Sequence, residues 1–360
     1  MSAVLFVSNG HGEAAIAARI AQDVRAFGSL RTDHLALVGS GFDAPDFSAV
    51  GPQRAMPSGG LVAMGNVHAF AGDLRAGFAG LLLAQLAFLR RAHGRYRALV
   101  VVGDVYGLML ARLARTPIVF VGTAKSVHVA PYGLLERRML RAARAIFVRD
   151  EVTAAFLRAR GVPARAPGNV IVDLLTTESR VAWGAAAERI AILPGSRARA
   201  YDDAEKLAAV ARIVARMRGD VGVVLSIAPG LDPKRFAAAL SGEPPIAAWQ
   251  GELGALLAEA TLAFGQAGTA NEAAAACGVP VVALEFDDER KSTWYRMRQA
   301  RLLGDALAVV PGDPERAAQA IAALLSDRAR RDHMAATGRA RMGGAGGARA
   351  IAQTIADVAA

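Results

Sequence analysis

Two short turns in the second half of the chain carry residues suited to binding phosphate groups. Pro194–Arg197 follows the apolar run 189–193, and Gly265–Thr269 follows the apolar run 261–264. Small residues let backbone N–H groups approach a phosphate, and a helix that begins at the second turn points its positive N-terminus at the anion. Arg197 adds a fixed charge. Two such turns in one domain predict a nucleotide-diphosphate site, although each could also be an ordinary strand-to-helix turn.

The elements around these turns predict an α/β fold, because apolar runs alternate with helical patterns along the whole chain. The expected strands are Ala3–Val7, Thr32–Val38, Ala98–Val102, Ile118–Val121 and Ala145–Val148, then 190–193, 221–227, 261–264, 281–284 and 307–310. We expect two facing Rossmann-like domains with parallel sheets and an interdomain cleft.

The expected domain division follows from composition breaks and helix stop signals. Residues 1–168 form an N-terminal domain, 169–187 a linker and 188–345 a C-terminal domain that holds the predicted nucleotide-diphosphate site. The glycine break before 346–360 predicts a last helix that packs back on the first domain.

Composition narrows the class of protein. The chain has 360 residues, 53% of them hydrophobic, and its single cysteine, Cys277, predicts a reducing compartment. The start of the chain does not read as a signal peptide, and no apolar run is long enough to span a membrane. The net charge of +10 comes mainly from arginine and suits a phosphorylated substrate or an anionic membrane face. Nucleic acid is not an expected partner, because basic and aromatic residues are not interleaved.

Several short motifs, in the same order over nearly the whole chain, resemble a known family. They are Ser8–Glu13, Pro57–Gly60, Val102–Asp104, Phe120–Ser126, Phe147–Asp150, Leu193–Arg197, Ala267–Glu272 and Gln299–Gly304. The resemblance is to the lipid-A-disaccharide synthase-related proteins, which are GT-B glycosyltransferases similar to lipid A disaccharide synthase. The stretch Asp43–Phe47 also resembles a synthase motif, but it lies too early in the chain. Asp104, which follows a strand, is the better counterpart of the catalytic aspartate in that motif.

The resemblance implies an inverting, metal-independent glycosyltransferase. It would move a sugar from a UDP-sugar of the UDP-GlcNAc type to a lipid or another hydroxyl acceptor, without a cofactor or a metal. We expect a cytoplasmic location, and the protein could also attach peripherally to the cytoplasmic face of the membrane. Two alternatives stay open on the same fold, namely a UDP-sugar 2-epimerase and a catalytically inactive UDP-binding protein.

The nucleotide-sugar-binding candidates stand at the two turns of the second domain. Arg197 and the helix N-terminus at Thr269 would stabilise the growing charge of the leaving UDP. Glu272 would accept hydrogen bonds from the ribose hydroxyls; alternatively, Thr269 caps the helix and Glu272 completes a capping box. The full set is Gly195, Ser196, Arg197, Gln266, Gly268, Thr269, Asn271 and Glu272.

The catalytic candidates belong to the first domain. Asp104 follows an apolar strand, and ligands of open α/β sheets bind at that end, so it could be the general base. Alternatively, Asp104 only caps the next helix. Glu13 is the competing base or a first-turn helix acid, and His11 could bond a sugar or acceptor hydroxyl or be a plain loop histidine. The acceptor-binding candidates are Asn9, Gly12, Lys125 and Ser126, of which the last two could equally form a solvated loop.

Two segments could contact a membrane. Phe70–Arg91 carries many large apolar residues before Arg90 and Arg91, which suits an interfacial helix. The alternative, slightly favoured, is a helix packed in the core. The basic run Glu136–Arg144 could share the same membrane face.

Overall fold

The computed structural model describes residues 2–28, 30–39, 47–54, 75, 77–175, 177–196, 199–286 and 290–360. The side chains of His11 and of residues 290–295 lie outside this description. So do Arg197, the motif Pro57–Gly60, most of the stretch Asp43–Phe47, and most of residues 70–77 at the start of the expected segment Phe70–Arg91. The chain divides into two compact units, Met1–Leu174 with Ala345–Ala360, and Leu175–Gly344.

Unit 1 is built on a seven-stranded sheet in the order β3-β2-β1-β4-β5-β6-β7, in which every pair is parallel. Its strands are β1 Ala3–Ser8, β2 Arg31–Ala36, β3 Phe47–Ala49, β4 Ala98–Gly103, β5 Ile118–Gly122, β6 Ala145–Val148 and β7 Ala164–Arg165. The described helices are α1 His11–Val24, α2 Phe78–Arg91, α3 Val105–Ala111, α4 Leu134–Leu140, α5 Glu151–Arg158, α6 Val170–Asp173 and α14 Gly347–Ala359. Short 3₁₀ turns follow α1 at Arg25–Phe27 and α3 at Arg112–Ala114.

The central strands of unit 1 are buried on both faces, which is why they read as continuous apolar runs. On one face Leu5, Leu99 and Phe120 pack in one apolar cluster, and on the other Phe6 and Val100 pack in a second.

The last helix of the chain, α14, completes the second of these clusters. Ile351 and Ile355 lie in it with residues of α1 and β1. The Asp173 carboxylate at the end of α6 accepts hydrogen bonds from the backbone N–H of Gly346 at 2.6 Å and of Ala348 at 2.7 Å. Because helix N-terminal N–H groups lack partners within the helix, this carboxylate ties the start of α14 to unit 1.

Helix α2 packs on the sheet through a buried side. Phe78, Leu81 and Leu89 are buried, and the buried Gln85 amide donates to the carbonyl of Leu37 at 2.9 Å. Leu83 on the other side is 67% exposed. The described part of the segment therefore has the packing expected of a core helix.

Unit 2 is built on a six-stranded, all-parallel sheet in the order β10-β9-β8-β11-β12-β13. Its strands are β8 Glu188–Leu193, β9 Val221–Ser226, β10 Ala247–Trp249, β11 Leu262–Gly265, β12 Val281–Glu285 and β13 Leu307–Pro311. The described helices are α7 Ala200–Arg218, α8 Ala237–Leu240, α9 Leu253–Glu259, α10 Gly268–Cys277, α11 Arg290–Leu303, α12 Pro314–Ser326 and α13 Arg328–Met342. Short 3₁₀ turns lie at Pro233–Phe236 and Gly304–Ala306.

The predicted α/β class with two parallel-sheet, Rossmann-like units is confirmed. The division between the units falls after Leu174 rather than after residue 168, and helix α6 occupies part of the expected linker. Among the described helices, none combines the length and the apolar character needed to cross a bilayer.

Candidate functional site

In unit 1 the neighbouring strands β1 and β4 each run through a glycine turn directly into a helix. Gly10, before α1, has φ of 147°, and Gly103, at the end of β4, has φ of 133°. L-residues with a Cβ rarely adopt such angles, so these tight turns require glycine. The two turns bring Asn9 and Asp104 together, and Asn9 Nδ2 donates to Asp104 Oδ2 at 3.3 Å.

Asp104 is the N-cap of helix α3. Its Oδ1 accepts the backbone N–H of Tyr106 at 3.0 Å and that of Gly107 at 3.2 Å. Since Asn9 bonds the other oxygen, both carboxylate oxygens have donors. The capping alternative is therefore what the structure shows for this residue, and Asp104 fixes the edge of the site. Asn9 Oδ1 is buried and has no hydrogen-bond partner among the described residues.

The half-buried carboxyl of Glu13 lies against both glycine turns. A Cβ on Gly10 would come within 2.8 Å of Glu13 Oε2, and one on Gly103 within 3.4 Å of Glu13 Cγ. Burial raises the pKa of Glu13, the nearby charge of Asp104 adds to the rise, and a hydrogen bond from Glu13's own backbone opposes it. A carboxyl with a raised pKa beside a fixed carboxylate is suited to accept a proton.

The remaining N-terminal candidates lie in the first turn of α1. Gly12 is exposed there, with open space where a Cβ would be. His11 begins the helix, and its side chain lies outside the described part of the structure, so its role stays a prediction.

Lys125 and Ser126 are held by other protein groups. Lys125 Nζ pairs with the Glu136 carboxylate at 2.7 Å, and the same carboxylate accepts the N–H of Gly133. The Ser126 side chain is 2% exposed, and its hydroxyl accepts the N–H of His128 at 3.3 Å. These contacts order the loop between β5 and α4, and they give neither residue the open placement expected for acceptor binding.

Tyr132 ends that loop and was not among the predicted site residues. It is 2% exposed, and its hydroxyl has no partner among the described residues. A Cβ on Gly122 would lie 2.5 Å from this oxygen. Burial raises the pKa of Tyr132, and the charges of Glu136 and Asp104 add to the rise. A lone tyrosine in a loop gives no sequence signal for such burial.

In unit 2 the turn after β8 is open. Gly195 has φ of 123°, and a Cβ there would meet no atom within 4 Å. Ser196 is exposed. Arg197 lies outside the described residues, and its phosphate contact stays a prediction. Arg199, just before α7, bonds the carboxylate of Asp203 from Nε at 3.3 Å.

The turn after β11 leads into α10 without a side-chain cap. The N-cap is Ala267, and Gly268 and Thr269, the first residues of the helix, are exposed. The capping-box alternative for Thr269 and Glu272 is therefore not formed, because Thr269 lies inside the helix and Glu272 beyond its first turn. The first N–H groups of a helix have no intrahelical acceptors, so this turn presents donors and a positive dipole end to solvent.

A buried amide network fixes the first turn of α10. Asn271 is fully buried, and its Nδ2 donates to the carbonyl of Gly265 at 3.1 Å and to Gln299 Oε1 at 3.2 Å. Gln299 Nε2 donates to the carbonyls of Ala267 and Gly268, both at 3.1 Å. Asn271 thus holds the turn in place from beneath, which is a different role from the predicted contact with the base or ribose.

Gln266 links two strands at the same edge. Its Nε2 donates to the carbonyl of Leu284 in β12 at 3.1 Å, while its buried Oε1 has no partner among the described residues.

Arg296 and Gln299 of α11 lie at this edge, and neither was a predicted site residue. Arg296 is 7% exposed, and its Nη1 donates to Gln299 Oε1 at 3.2 Å. The sequence of α11 is rich in arginine and lysine, which is typical of a solvent-exposed helix. The burial of Arg296 results from tertiary packing and has no signal in the sequence. Gln299 belongs to the motif Gln299–Gly304 of the family resemblance, and this motif was the only sequence signal that pointed to a role for it. Among the described residues, no group of three or more histidine, cysteine, aspartate or glutamate side chains is arranged to hold a metal ion.

The two sheets and their helices define a fold class, that of the GT-B proteins with their two Rossmann-like domains. UDP-GlcNAc 2-epimerase from Methanocaldococcus jannaschii is 15% identical, with a TM-score of 0.60 over 99% of each chain. CalG4, the calicheamicin glycosyltransferase, is 16% identical, with a TM-score of 0.64 over 99% of this chain and 98% of that chain. MurG from Acinetobacter baumannii is 14% identical, with a TM-score of 0.58 over 99% of each chain.

No family model matches the sequence. No curated protein matches it either. At identities this low, the similarity to solved structures establishes the fold and not the reaction.

Proposed function

We propose that the chain is an inverting glycosyltransferase that uses a UDP-sugar. The observation that carries the proposal is the uncapped first turn of α10, exposed at Gly268 and Thr269 and fixed by Gln299. Free N–H donors at a helix N-terminus suit a diphosphate, and the open turn at Gly195 leaves room beside them. The predicted charge of Arg197 would add to this site, and the exposed, small residues allow close approach of the nucleotide.

Glu13 is the general base in this proposal. An acceptor hydroxyl oxygen attacks the anomeric carbon, the bond from that carbon to the UDP oxygen breaks, and the hydroxyl proton passes to the Glu13 carboxylate. Glu13 is the better base because burial favours its protonated form, so that it readily accepts a proton. Asp104 is less suited, because both of its oxygens already accept hydrogen bonds. Asp104 therefore positions the edge of the site, and its charge adds to the rise that burial causes in the pKa of Glu13. In this proposal the N-terminus of α10 stabilises the charge of the departing UDP, which is the role that a metal ion would otherwise take.

The acceptor is proposed to be a lipid, presented at an anionic membrane surface. Leu134 and Leu135, at the start of α4, are 77% and 65% exposed, and Arg137 and Arg138 follow on the same helix. Exposed leucines beside arginines suit the boundary between acyl chains and anionic head groups. Tyr132 and the loop that ends in it place the start of α4 near the carboxyl end of β5.

A UDP-GlcNAc 2-epimerase is the second candidate function. The similarity in fold to solved UDP-GlcNAc 2-epimerases favours it. Such an enzyme would invert C2 of the sugar in the absence of any acceptor, and it would have no use for the exposed leucines of α4.

The test is ligand stabilisation followed by turnover. Thermal unfolding is measured with UDP, UDP-GlcNAc, GDP and ATP; a ligand at about 100 times its Kd adds about 2.7 kcal/mol. A UDP-selective shift is expected, and its absence would remove the nucleotide site. NMR of UDP-GlcNAc with the protein alone then detects the C2 epimer, which would favour the epimerase. UDP release that requires a lipid or sugar acceptor supports the transferase, and binding without either reaction indicates an inactive UDP-binding protein.

A further inference from the structure

Arg296 is a buried cation with incomplete compensation. Its side chain is 7% exposed, although arginine is almost never fully buried unless it is paired. Burial of a charge without a partner is costly, and burial here lowers the pKa of Arg296. Proteins seldom retain such a group unless something satisfies it.

Among the described residues, Arg296 has one direct hydrogen-bond partner, an amide oxygen. Nη1 donates to Gln299 Oε1 at 3.2 Å, and the buried Nε has no acceptor among the described residues. Asp203 and Glu285 are near enough to favour the charged form, and Arg199 opposes it. However, no described carboxylate forms an ion pair with Arg296 within 4.0 Å, and Asp203 is already bonded by Arg199.

The position of Arg296 connects this charge to the first turn of α10. Gln299 bonds the guanidinium through its oxygen and the carbonyls of Ala267 and Gly268 through its nitrogen. Arg296 is therefore one side chain away from the exposed helix N-terminus. Helices α10 and α11 follow the adjacent strands β11 and β12, so both leave the same edge of the sheet.

We propose that Arg296 is the buried cation that binds the diphosphate group of the nucleotide ligand, and that Gln299 is its positioning residue. The proposal rests on the proposed nucleotide site of unit 2 and names a charge in it besides the predicted Arg197. A planar guanidinium can bond two phosphate oxygens at once. A bound diphosphate would supply an acceptor for Nε and a negative charge in direct contact with the guanidinium, neither of which comes from the described residues.

The test compares Arg296→Met with Arg301→Met, which removes an exposed arginine from the same helix. Titration calorimetry gives Kd for UDP, uridine and inorganic pyrophosphate, and thermal unfolding gives Tm without ligand. For Arg296→Met we expect an unchanged or higher Tm, because an apolar side chain of similar length replaces a poorly compensated buried charge. We expect Kd for UDP and pyrophosphate to rise at least tenfold, about 1.4 kcal/mol, with Kd for uridine unchanged. Arg296→Lys should recover part of the affinity, and Arg301→Met should match the wild type.

Each other outcome decides a different point. Wild-type affinity for UDP in Arg296→Met overturns the inference and leaves the nucleotide site standing. A lower Tm together with equal losses of UDP and uridine assigns Arg296 a structural role and also overturns it. A wild type that binds pyrophosphate but not UDP refutes the proposed function while supporting the anion site. A wild type that binds none of the three refutes both.

Discussion

Removal of the Asp104 cap should destabilise unit 1 by a predictable amount. Asp104→Ala deletes two hydrogen bonds to the first turn of α3, and loss of an N-cap typically costs about 1 kcal/mol. It also leaves the amide of Asn9 without its acceptor, which adds about 1 kcal/mol at a half-buried site. A total of about 2 kcal/mol corresponds to a fall in Tm of about 4–8 °C for a domain of this size.

Asp104→Asn is the matched control, because it keeps an oxygen at the capping position. Its new amide would face the amide of Asn9, but rotation of Asn9 by 180° would turn its unpartnered Oδ1 towards the new donor. We therefore expect Asp104→Asn to cost no more than about 0.5 kcal/mol.

The assay can assign the loss to one unit. The three tryptophans, Trp183, Trp249 and Trp294, all belong to unit 2. Tryptophan fluorescence thus reports on unit 2, and far-ultraviolet circular dichroism reports on both units. In Asp104→Ala the Tm measured by fluorescence should stay unchanged. The part of the circular dichroism transition that belongs to unit 1 should shift to lower temperature. Equal losses in Asp104→Ala and Asp104→Asn would refute the reasoning, because they would make charge, not capping, the source of the stability.

Three further predictions concern catalysis and membrane contact. Because the pKa of Glu13 is raised in the folded state, its contribution to stability is present at low pH and lost as pH rises through that pKa. Glu13→Gln should therefore match the wild type in urea unfolding at low pH and exceed it at neutral pH. It should also lower kcat by about 10²–10⁴ if Glu13 is the base. Arg197→Ala should lower kcat/KM at least tenfold, about 1.4 kcal/mol, and unchanged kinetics would remove Arg197 from the mechanism. Replacement of Leu134 and Leu135 by serine should reduce flotation with anionic vesicles; equal flotation of variant and wild type would argue against the lipid-facing role of α4.

The sequence predicted the long elements well because their signals are local. The buried strands of both sheets appear in the sequence as apolar runs of the expected length. Strands β3, β7 and β10 were missed, because two or three residues are too few to show a period.

The candidate sites were predicted less completely, since side-chain roles depend on tertiary contacts. Asp104 was placed correctly at a strand end, but its two cap bonds and the amide of Asn9 emerge only when β1 and β4 pair. Thr269 reads as a cap in sequence, yet the N-cap is Ala267, two residues earlier. There Gln299, from a distant segment, donates hydrogen bonds to the carbonyls of Ala267 and Gly268. Arg296 illustrates the same limit, because no local pattern distinguishes it from its exposed neighbours.

The return of α14 to unit 1 has a consequence for biosynthesis. When the ribosome has released the first 174 residues, the apolar side of α1 still lacks Ile351 and Ile355, which come from the far end of the chain. Unit 2 is complete in one continuous segment and can fold while the nascent chain grows. Until α14 has been made, unit 1 exposes the hydrophobic surface of α1 that α14 later covers. Chaperones bind surfaces of this kind. Synthesis of α14 thus completes the hydrophobic core of unit 1, most of which is made before unit 2.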